Sequence, residues 1–81
     1  MQIQQYQKKP ATVDASQYLS VAEIQDFKDW GALVLPTETN ATDFTIYIND
    51  QVCRLGDFIV KDGLDFFVIR PEAFKLLYTP V

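Results

Sequence analysis

The chain has 81 residues, 48% of them hydrophobic and 14% aromatic, and its 11 acids against 7 bases leave a net charge of −4. That length is expected to form one domain, residues 1–81, near the small end of what folds unaided. The acidic balance argues against general nucleic-acid binding, which phosphate neutralisation drives, and the absence of histidine removes the commonest general base and metal ligand.

Cys53 is the one cysteine, so no internal disulfide and no cysteine-based zinc site can form. A thiol of this kind suits a reducing cytosol. Residues 1–7 are glutamine-rich, without the basic start and apolar run of a signal peptide. No apolar run approaches the roughly 20 residues of a membrane span. A soluble, cytoplasmic protein is expected, with no membrane partner. Small domains often gain stability by association, and a homo-oligomer is expected.

Taken in chain order, residues 1–7 could extend a strand or fray. Pro10 suits a strand start or an edge, since it lacks an amide donor. Residues 11–19 alternate with period two, which predicts a strand with one buried face. Ser20 and Glu23 have the spacing of a capping box. Val21, Ile24, Phe27 and Trp30 follow at helical spacing, and Gly31 suits the C-terminal cap. Residues 32–35 read as a short apolar strand, and residues 36–42 as a polar loop.

Residues 44–55 predict a hairpin around Asn49-Asp50, and residues 58–69 a second one around Asp62-Gly63. Pro71 is pre-set for the first position of a short helix, with Phe74, Leu77 and Tyr78 expected to face inward. The fold expected is α+β: a small curved antiparallel sheet or partly open barrel of five to six strands. One amphipathic helix and a short C-terminal helical turn would cover it.

Residues 6–18 and 56–81, nearly half of the chain, carry further motifs. The first stretch runs from Tyr6 through Lys8-Lys9-Pro10 and an alternating strand to Gln17-Tyr18. The second places Gly56-Asp57 before an aromatic, then Lys61, Gly63, Phe66, Pro71, Phe74 and Tyr78. Together they resemble a family of small proteins of tailed phages and prophages, which comes with no established activity. Leu55 stands where members often have proline, and Phe58 where tryptophan is typical. The resemblance implies a phage origin and an accessory role in the host cell, such as countering a defence system.

Catalytic groups are scarce. Asp57, Asp62 and Asp65 lie close in sequence. Asp57 is explained by a turn hydrogen bond and Asp62 by the hairpin turn. Cys53 in a strand reads as a packing residue. An enzyme is not expected, and neither is a metal or cofactor. The bases offer more. If the strand ends converge, Arg54, Lys61 and Arg70 could line one pocket with Tyr47, Phe66 and Tyr78. Arginine forks match phosphate and aromatic rings offer a stacking face, so that set suits a small anionic nucleotide-type signal. The same bases would also serve as charges that keep strand edges soluble. Trp30, Tyr18 and Tyr47 could alternatively form a contact patch for a host protein. The function expected is therefore binding: sequestration of a nucleotide-type signal, or inhibition of a host protein, or a minor virion role.

Overall fold

The computed structural model describes residues 3–8, 11–36 and 44–80. Pro10 and residues 37–42 of the expected loop lie outside them. Among the described residues the order is β1 (Gln4–Lys8), β2 (Ala11–Gln17), a 3₁₀ turn (Val21–Glu23), α1 (Ile24–Asp29), β3 (Val34–Pro36), β4 (Ile46–Ile48), β5 (Gln51–Cys53), β6 (Phe58–Asp62), β7 (Asp65–Ile69), α2 (Pro71–Leu77) and β8 (Thr79–Pro80). The fold is α+β. Among the described residues its strands number eight, not five or six, and form two open antiparallel sheets: β7-β6-β2-β1-β8 and β3-β4-β5. The added strands are β1 and β8, at one side of the larger sheet. Gln4 and Gln5 are exposed, so β1 shows no apolar alternation, and its ladder with β2 holds it in place.

Local chemistry sets the elements. The Ser20 hydroxyl accepts from the Ala22 amide at 3.2 Å, and Glu23 Oε1 accepts from the Ser20 amide at 2.9 Å, completing the capping box. α1 ends in a Schellman motif: Ala32 N–H donates to Phe27 C=O at 3.0 Å and Gly31 N–H to Lys28 C=O at 3.1 Å. Gly31 sits at φ +111°, which a side chain would resist. Asn49 and Asp50 both take positive φ, 47° and 67°, as a type I′ hairpin turn requires. In the second hairpin Asp62 pairs with Asp65, so the turn is Gly63-Leu64 and not Asp62-Gly63. Gly63, at φ +65°, fills the first turn position.

Register assigns each β6 side chain to a face. Ala15, Val60 and Phe67 lie in one cross-strand row, and Ser16, Ile59 and Val68 in the next, on the opposite face. The first face holds Val13, Ala15, Phe58 and Val60 under Phe74 of α2. The Phe74 and Phe58 rings stack at 3.8 Å. Burying a ring such as that of Phe74 contributes on the order of 2–3 kcal/mol. The second face holds Ile59 and Phe66 under α1 and the inner face of the small sheet, through Phe27, Val34, Ile46, Ile48 and Cys53. Three layers result, with the larger sheet in the middle. Leu77, expected inside, is 51% exposed. Tyr78 leaves the helix in extended geometry and takes the place against Phe74, with ring centroids 4.8 Å apart.

No helix among the described residues is long and apolar enough to cross a membrane.

Candidate functional site

The six residues expected to line one anion pocket do not come together as one set, although some of them meet in pairs. Lys61 and Phe66 are direct partners across β6 and β7. The Lys61 ammonium lies 5.6 Å from the Phe66 ring centroid and donates to the Trp30 carbonyl at 3.2 Å. Phe66 is buried and meets Trp30 edge to face at 5.4 Å, so its ring serves the core and offers no open stacking surface. Tyr78 belongs to the opposite face, against Phe74. Burial, and then the nearby Asp62 charge, push its hydroxyl pKa up. Tyr47 stands between the inward-facing Ile46 and Ile48 on β4, and so points outward from the small sheet. Arg54 and Arg70 both meet Asp57. Arg70 does so through its guanidinium, and the bond from Arg54 comes from its backbone amide.

Asp57 is the centre of a structural knot. It is 1% exposed. Its amide closes the Arg54–Asp57 turn on the Arg54 carbonyl at 3.0 Å, with Gly56 at φ +97° in the third position, as in a type II turn. Its Oδ2 accepts from the Arg54 amide at 3.0 Å, and its Oδ1 from Arg70 at 2.6 Å. The Tyr18 amide donates to the Asp57 carbonyl at 2.9 Å, and the Gly56 amide to the Tyr18 carbonyl at 2.7 Å. Gln17 Nε2 adds a bond to the Gly56 carbonyl at 2.9 Å. One carboxylate oxygen thus holds the turn and the other holds Arg70, just past β7, while the backbone of Gly56 and Asp57 holds the chain at the end of β2. Asp62 and Asp65, by contrast, are exposed at the mouth of the hairpin. Among the described residues no group of three or more His, Cys, Asp or Glu is placed to hold a metal ion.

Cys53 is fully buried, and burial, followed by the Asp57 charge, pushes its thiol pKa up to about 12. A thiolate nucleophile there would have to form in the core.

The expected patch of Trp30, Tyr18 and Tyr47 does not assemble, because Tyr18 is fully buried and donates its hydroxyl to the Phe44 carbonyl at 2.9 Å. Sequence reasoning missed a different surface. Leu35 pairs with Tyr47, and Tyr47 with Val52, so these three side chains form one row across the small sheet. Leu35 is 44% and Val52 50% exposed, and Leu33, just before β3, is exposed as well. The signal was present in the parity of the strands: Val34, Ile46, Ile48 and Cys53 point into the core, which sends their neighbours outward.

A cleft of about 390 Å³ opens beside α1, lined by Ile3, Asp26, Asp29 and Trp30. It presents two carboxylates and an indole, and it holds none of the six expected pocket residues.

In comparisons with known proteins, no family model, no curated protein and no solved structure matches the chain.

Proposed function

We propose that the chain is a non-enzymatic binding protein that docks on another protein through the outward row Leu35–Tyr47–Val52. That row is the observation that carries the reading. A half-buried sheet normally turns polar residues to water. Here the outer face of the small sheet keeps two aliphatic side chains in direct register with a tyrosine. A contiguous apolar patch with an amphipathic aromatic at its centre has the make-up of a protein–protein hot spot. The geometry favours this over a small nucleotide-type anion, since the Arg70 guanidinium is engaged by Asp57 and the Lys61 ammonium by the Trp30 carbonyl. The setting, a phage accessory protein acting on a host defence or metabolic enzyme, rests on the resemblance carried by residues 6–18 and 56–81.

The test is affinity capture from host lysate by the native chain and by a Leu35→Glu/Val52→Glu variant whose fold is verified by circular dichroism. The expected outcome is a host protein enriched by the native chain and lost with the variant. An unchanged set of captured proteins would sink the docking surface. A nucleotide-sized mass adduct on the native chain, seen by native mass spectrometry, would return the function to sequestration.

A further inference from the structure

The cleft beside α1 lies apart from the row proposed for docking, and its described lining sets two carboxylates beside apolar side chains. Asp26, Asp29 and Trp30 stand at i, i+3 and i+4, which places them on one face of the helix end. Ile3, from the approach to β1, supplies a second apolar wall. The indole is held from beneath. It packs on the buried Phe66 ring at 5.4 Å, and the Trp30 carbonyl accepts from Lys61 at 3.2 Å.

We propose that this cleft binds an organic cation, a guanidinium or alkylated ammonium group, between the Trp30 indole and the Asp29 carboxylate. An aromatic wall attracts a cation through its ring quadrupole, and indole does so best. An anion would face the Asp29 carboxylate, and a neutral apolar group would leave that charge without a partner. A hydrated metal ion would need more oxygen ligands than two side chains supply, and it would gain nothing from Ile3 and Trp30. Asp26 makes an interaction of its own within the chain, so the charge partner assigned here is Asp29. The bond that Asp29 Oδ1 accepts from Gln25 Nε2 at 3.0 Å leaves its charge intact.

Trp30 is the single tryptophan, so its fluorescence reports on the cleft without interference. The experiment titrates the full chain with tetramethylammonium chloride, and in a second arm with a short blocked peptide carrying one arginine. Sodium chloride at matched ionic strength is the control. The expected result is a saturable response to either probe beyond that of sodium chloride, weakened about fivefold or more in Asp29→Asn. Saturation by the peptide alone assigns the site to an arginine side chain of a protein. Saturation by tetramethylammonium, with or without the peptide, assigns it to organic cations at large. A response to both probes that matches sodium chloride overturns the proposal, as does saturation that Asp29→Asn leaves unchanged. Asp29 is an exposed helix position, so the variant keeps its fold.

Discussion

The side chain of Gln51 stands where a neighbouring strand would lie against Val68. Its Oε1 accepts from the Val68 amide at 2.9 Å, and its Nε2 donates to the Phe66 carbonyl at 2.7 Å. Those two backbone groups lie on the edge of β7 that faces away from β6, and a parallel strand residue would engage the same pair. A single carboxamide thus joins β5 of the small sheet to the larger one, in place of the ladder that would close a barrel.

Removing that carboxamide should loosen the seam. Gln51→Ala leaves a part-buried amide and carbonyl without their partner, at a cost of about 1–3 kcal/mol. Urea denaturation measures the loss. Hydrogen exchange should localise it, with the Val68 amide gaining exchange and the β2–β6 ladder keeping its protection. Uniformly faster exchange across both sheets would contradict a local role.

Asp57 and Arg70 should not be equivalent, although they form one ion pair. Arg70 is 54% exposed at its side chain, so water can replace much of what it gives, and solvent screens the pair. Asp57→Ala removes the acceptor of the Arg54 amide as well as the partner of Arg70. It should cost about 3 kcal/mol, against roughly 1 kcal/mol for Arg70→Ala. Chemical denaturation of both variants decides this. Equal losses would mean that the ion pair, and not the turn, is what Asp57 supplies.

Features written in adjacent residues were largely legible from the sequence, the second hairpin turn being offset by one residue, and features set by register were not. The Ser20–Glu23 box, the Gly31 cap, the Asn49-Asp50 turn and the Pro71 helix start each rest on the chemistry of one short segment. The supposed anion pocket depended on which face each base and ring takes. β6 and β7 hide that information, because Phe58, Ile59 and Val60 are all buried and show no alternation. One step of parity sends Phe66 into the core with Lys61 above it, and puts Phe67 on the face of α2. Tyr78 was read correctly as an inward residue, but the face that it covers is not the one that Lys61 occupies.

Ser16 should be better as alanine. Its side chain sits on the α1 face of β2, opposite Ile59, and is 2% exposed. The hydroxyl has no hydrogen-bond partner there. A buried, unsatisfied hydroxyl carries a desolvation cost that nothing offsets. Ser16→Ala is expected to raise stability by about 1 kcal/mol, read as a shift of the urea midpoint at unchanged slope. A loss of stability would show that the hydroxyl has a partner in solution, such as a bound water.

Alkali should destabilise the fold, and Cys53 should be one cause. Its pKa in the fold, about 12, exceeds the value of 9.0 for a free thiol. Between those values the unfolded chain gives up a proton that the folded chain keeps, so the linkage slope is negative. The contribution is complete below pH 9 and declines as pH rises towards 12. Burial raises the Tyr18 hydroxyl above its ordinary value first, with the Cys53 and Glu23 charges adding to it, so it acts in the same direction at higher pH. Urea midpoints measured at pH 8 and pH 10.5 should differ in the native chain and differ less in Cys53→Ala. The same chemistry predicts that a thiol reagent at pH 8 leaves the folded chain unmodified and labels Cys53 once urea unfolds it. Rapid labelling of the folded protein would show that the thiol is not sealed in the core, and would remove the basis for its raised pKa.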